Sequence, residues 1–141
     1  MKLLGFNFTK INVEKEKDSI KDLKIRNSID VLSIEEIKQE FFRAEDNVLV
    51  IKFSYNIGYE PKIAHINLEG TILLSVEKPE MVKEILKKWK EKALLEEFRI
   101  PLFNVIFRKA GLKALELEDE MNLPLHMSMP ILKKQADSGK K

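Results

Sequence analysis

The chain has 141 residues, 44% of them hydrophobic and 34% charged, with 25 basic against 23 acidic side chains and no cysteine. That length holds one domain with a real core, and the lack of cysteine excludes a disulfide scaffold or a thiolate metal site. A formal charge of +2 is no basic excess of the kind nucleic acid demands, and no apolar run has the length of a signal peptide or membrane span, so a cytoplasmic protein without membrane insertion is expected.

Leu4, Phe6 and Phe8 alternate, and Ile11 and Val13 continue on the other parity. This predicts a first strand with a bulge near Thr9–Lys10. Glu14 to Arg26 is dense in Lys, Asp and Glu and reads as a connection with room for one helical turn. Ile29 to Phe42 carries two patterns. Ser33 with Glu36 could cap a helix, and Ile34, Ile37 and Phe41 have helical spacing. Ile29 and Val31 alternate, however, and the polar turn Arg43–Asn47 suits a hairpin, so a strand is expected, with a helix over 33–42 as the alternative.

Asn47 to Glu77 is the organising stretch. Leu49, Ile51, Phe53, Tyr55 and Ile57 occupy every second position, and after a turn around Gly58–Lys62 the pattern resumes as Ala64, Ile66, Leu68, Gly70, Ile72, Leu74 and Val76. A period of two over that length predicts two long antiparallel strands, apolar on one face. Such a hairpin needs further strands beside it and a cover across it.

At Lys78-Pro79-Glu80 the period changes, with Pro79 suited to a first helical turn. Val82, Ile85, Leu86, Trp89 and Ala93 form a narrow stripe, and Pro101 is expected to end or kink this helix. A second helix is expected from Leu102 to Glu118. Phe103, Ile106, Phe107, Ala110, Ala114 and Leu117 make its broad apolar side, and Val105, Leu112 and Leu115 a narrower one. A helix apolar on two sides needs two partners. Gly111 costs it about 1 kcal/mol relative to alanine, yet Ala110, Gly111 and Ala114 let a second backbone approach. Either another subunit, through Val105, Ala110, Gly111, Leu112, Ala114 and Leu115, or the Trp89 helix folding back can supply the second partner.

Glu116–Glu120 reads as a solvated acidic corner. Beyond it Leu123, Leu125, Met127, Met129 and Ile131 share one parity, while Pro124 and Pro130 bar a helix or central strand, so an extended amphipathic arm is expected. Residues 1–132 form the domain, and Lys133–Lys141 a mobile tail. No catalytic constellation stands out. His65 and His126 have no nucleophile motif beside them, and there is no phosphate loop, dinucleotide fingerprint or metal-binding His pair. The chain is expected to be no enzyme and to need no metal or cofactor.

The predicted fold is α+β: a four-stranded antiparallel sheet covered by a long C-terminal helix, with a shorter helix before it. This order of elements resembles the SecB family of export chaperones over about residues 3 to 132. The run from Val48 to Tyr55 is similar to that family's third strand, and Ala64–Val76 with its Glu69-Gly70 step to the fourth. Ile100-Pro101-Leu102-Phe103 with Arg108 is similar to the start of its main helix, and Met121–Leu125 to the stretch leading to its last one.

The resemblance implies a cofactor-free, ATP-independent holdase for unfolded or nascent chains, built as a homotetramer, a dimer of dimers. The family is typically acidic and uses a distinctive C-terminal tail to dock the SecA motor. This chain is slightly basic and ends in lysines, so delivery to SecA is not expected. Relatives serving toxin–antitoxin systems share the fold, which leaves the client class open. Clients need adaptable apolar surface, which soft Met side chains provide. The candidate client-binding residues are Phe41, Phe42, Tyr55 and Tyr59 with Leu123, Leu125, Met127, Met129 and Ile131 of the arm. A hot-dog-like small-molecule enzyme and a structural subunit of a larger assembly are the competing readings.

Overall fold

The computed structural model describes residues 1–17, 22–37, 47–130, 132 and 134. Four strands come first: β1 (Lys2–Lys15), β2 (Lys24–Ile37), β3 (Asn47–Glu60) and β4 (Ala64–Val76). Two helices follow, α1 (Pro79–Lys90) and α2 (Glu96–Glu120). The strands form one antiparallel sheet in the order β1-β4-β3-β2, so the β3–β4 hairpin is central and the first two strands are its edges. This is the α+β arrangement that the alternation and the change of period predict.

Alternation decides the faces. Leu49, Ile51, Phe53, Tyr55, Ile57 and Tyr59 of β3 are buried, as are Ile66, Leu68, Ile72 and Leu74 of β4. Their neighbours on the opposite face are polar and bond one another: Asn67 Nδ2 reaches Ser54 Oγ at 3.2 Å and Asn56 Oδ1 at 2.5 Å.

Both edge strands are bulged, and on the same row. In β1 the register shifts between Phe8 and Lys10, and in β2 between Val31 and Ser33. Phe8 pairs with Gly70, Gly70 with Phe53, and Phe53 with Val31, so Thr9 and Leu32 stand at opposite ends of one row. Gly70 is required there, because a Cβ would lie 2.6 Å from the Asn7 carbonyl and 2.8 Å from the Phe53 ring. The space holds aromatic rings instead, with Phe6 and Phe53 centroids 5.3 Å apart.

The β2 bulge also explains the double pattern of that segment. Ile25, Ile29 and Val31 face the core on one parity, Leu32 is the extra residue, and Ile34 resumes on the other. A parity switch of this kind mimics helical spacing locally. The segment is strand as far as Ile37, and it begins at Lys24, earlier than the charged sequence implies. The alternative over 33–42 is thereby settled for 33–37, and the rest lies outside the described residues.

The helices depart from expectation at one joint. Pro101 neither ends α1 nor starts α2. α1 stops at Lys90 and the chain turns at Lys92, whose φ is 56°, while α2 begins at Glu96 and carries Pro101 inside it. Pro101 lies past the first turn of α2, so its missing N–H removes one hydrogen bond of the helix. Within α1, Val82 and Ile85 are buried and Leu86 and Trp89 partly so, and the helix packs against β2 and β4.

α2 covers the sheet through Phe98, Leu102, Ile106, Ala110, Ala114 and Leu117. From Phe98 to Ala114 these residues are spaced by four. A 3.6-residue helix therefore turns the stripe by about 160° between them. The drift winds the sheet-facing stripe around α2, and Leu112, with Val105 and Leu115 partly buried, lies outside it as the second apolar side. Phe107, assigned to the broad apolar side, is instead 47% exposed.

Candidate functional site

The C-terminus of α2 sets the geometry of the site. Asn122, at φ 55°, takes the left-handed position that closes a helix. Leu123 N–H then donates to the Glu118 carbonyl at 2.8 Å and Asn122 N–H to that of Asp119 at 3.3 Å, the paired bonds of a Schellman turn. Leu123 is buried, and Lys15 Nζ reaches across from β1 to the Met121 carbonyl at 3.2 Å. The chain is thus turned back over α2 from a fixed root.

Three residues later, His126 meets Glu118. Its Nδ1 stands 2.9 and 3.0 Å from the two carboxylate oxygens, and its backbone N–H donates to Oε1 at 3.2 Å. Tyr59 of β3 donates its hydroxyl to Oε2. On the far side of the ring, His126 Nε2 is 3.1 Å from the Tyr55 hydroxyl. A carboxylate only accepts, so Nδ1 carries the proton, and in a neutral imidazole Nε2 accepts from Tyr55. Neither the His126 nor the Glu118 side chain has solvent-accessible surface. Burial, and then the Glu118 charge, push the Tyr55 hydroxyl up to about 12. Tyr59 is raised as well, by burial first and then by its bond to Glu118. Both phenols stay protonated at neutral pH and serve as donors. Sealed from water in this way, the Tyr–His–Glu chain ties α2, β3 and the arm together.

Around the tie lies apolar surface. Phe107 and Leu112 of α2 and Leu125, Met127 and Met129 of the arm are each between 39% and 60% exposed. Phe107 packs edge-on to Tyr55 with ring centroids 6.3 Å apart. Met127 lies along α2 where the helix is bare: its Cε is 3.0 Å from the place a Cβ on Gly111 would occupy. A cavity of about 610 Å³ opens beside the start of α2, lined by Leu95, Glu96, Glu97, Ile100 and Pro101. Among the described residues no group of three His, Cys, Asp or Glu could hold a metal ion, and no helix is long and apolar enough to cross a membrane.

Of the residues singled out from the sequence for client binding, Leu125, Met127 and Met129 stand together on the arm. Tyr55, Tyr59 and Leu123 lie beneath it, buried. Phe41, Phe42 and Ile131 are outside the described residues. From the proposed subunit interface, Ala110, Gly111 and Ala114 are buried within the chain, whereas Leu112 is exposed and Val105 and Leu115 partly so. Glu118 was missed. Read as part of a solvated acidic corner, it is wholly buried. Its signal was present, for Glu118 continues the four-residue series of Phe98, Leu102, Ile106, Ala110 and Ala114.

By sequence, the chain matches no family model and no curated protein. By fold, it is similar to the Mycobacterium tuberculosis Rv1957 SecB-like chaperone, whose structure is in complex with a ChAD peptide from the Rv1956 HigA1 antitoxin. The TM-score is 0.58, covering 96% of this chain and 92% of that one at 8% identity. The SecB-like architecture expected from the order of elements is the architecture found.

Proposed function

We propose that the protein is an ATP-independent holdase chaperone that binds unfolded or nascent polypeptides, working as a homo-oligomer and requiring no cofactor. The observation that carries this reading is the exposed apolar surface of α2 and the arm, on a fold shared with a chaperone that holds a peptide. Methionine and leucine side chains on a segment without regular structure can repack around many partners. An extended client lying along them gains apolar contact with little demand on its sequence. The antitoxin peptide in complex with the neighbouring fold supports polypeptide segments as clients.

Suppression of light scattering by a chemically unfolded client tests the proposal. Wild-type protein should protect without nucleotide, and Leu125→Ser, Met127→Ser and Met129→Ser combined should abolish protection while oligomer mass and circular dichroism stay nearly unchanged. Equal protection by wild type and the folded triple variant would place the client surface elsewhere.

A further inference from the structure

We propose that the arm is the moving jaw of this surface, fastened at one point by His126, and that an extended apolar polypeptide segment binds between arm and α2 when the fastening opens. The inference rests on the chaperone reading and names how its surface is controlled. From Pro124 to Pro130 the arm has neither helix nor strand. Among the described residues, every hydrogen bond tying it to the rest of the chain passes through His126: backbone N–H and Nδ1 to Glu118, and Nε2 to Tyr55. Segments held by so few bonds are the ones that open locally while the rest of a protein stays folded.

The surfaces that part are apolar on both sides. Met127 leaves the bare backbone of Gly111, and the edges of Tyr55 and Phe107 come free with it. What now occupies that seat is an extended stretch of alternating apolar residues, the arm itself, which shows the kind of ligand the seat accepts. The root of the arm need not move. Leu123 is buried, the Schellman bonds fix Asn122, and Lys15 holds the Met121 carbonyl. The opening joint is then Pro124–Leu125, between the fixed root and His126. Glu118 keeps the Tyr59 donor when the arm lifts, so its carboxylate is not stripped of partners.

The test uses the full-length protein and a fluorescein-labelled synthetic peptide of residues 121–132. Relative to wild type, His126→Ala should accelerate hydrogen exchange of the amides at 125–129. It should also bind the peptide at least about tenfold more tightly, because the closed arm loses two side-chain hydrogen bonds, one of them to the Glu118 carboxylate. A merely structural role predicts a weaker binder instead. Tyr55→Phe removes only the Nε2 partner and should move both readouts the same way by less. It decides the matter if His126→Ala does not fold. Unaltered exchange, or faster exchange with equal or weaker peptide affinity, overturns the proposal. Failure of wild type to protect an unfolded client would separately overturn the chaperone reading, since neither measurement here uses a client.

Discussion

Tyr55 and Tyr59 are the two tyrosines of the chain, and both hydroxyls serve the same buried tie. Phenol absorbance therefore reports on the tie without background. The folded state holds its Tyr55 proton up to about 12, whereas an unfolded tyrosine releases it near 10. A group whose folded pKa is raised contributes stability that is complete below the unfolded value and lost as pH rises through the folded one. Stability should therefore be flat in this respect up to about pH 10 and fall between about 10 and 12. A spectrophotometric titration paired with melting temperatures checks it. Phenolate appearing near pH 10 in protein that is still folded would mean that neither hydroxyl is held as described.

At the scale of elements, Pro101 separates what sequence could show from what it could not. Proline in a helix interior costs about 3 kcal/mol, while its stiffness in the unfolded chain returns about 0.4–1 kcal/mol. Because Pro101 lies inside α2, Pro101→Ala should stabilise the protein by about 2–2.6 kcal/mol with helix content unchanged. Chemical denaturation followed by circular dichroism measures both, and destabilisation would show that the ring's packing outweighs the missing bond. The strands were readable because alternation is enforced residue by residue along β3 and β4. The β1 bulge was readable as a change of parity, and the expected shift near Thr9 is present. The α1–α2 joint was hidden because Lys92 takes a left-handed conformation with no glycine to announce it. Glu118 was hidden because a charged residue within an acidic run gives no local sign of burial. Only the four-residue series through α2, joined to two tyrosines far away in sequence, reveals it.

For the whole molecule, the open question of assembly centres on the outer face of α2. Leu112 is 60% exposed, with Val105 and Leu115 partly covered beside it. If copies associate through this face, Leu112→Asp should reduce the mass measured by size-exclusion light scattering. The fold should be unaffected, because an exposed position accepts a charge within about 0.5 kcal/mol. A wild-type chain that is monomeric at tens of micromolar, an ordinary range for stable interfaces, or a variant that keeps the full mass, removes this face from the assembly.

The aligned bulges at Thr9 and Leu32 carry a consequence for survival in crowded company. An open sheet edge is where another chain can begin to stack, and this sheet has two of them. Each outer strand is 14 residues long, yet each loses its register in mid-course. An incoming strand can follow either edge for only half its length before the ladder breaks. With both interruptions on the row where Gly70 and Phe53 already leave no room, the sheet offers a clinging chain no long straight border to copy.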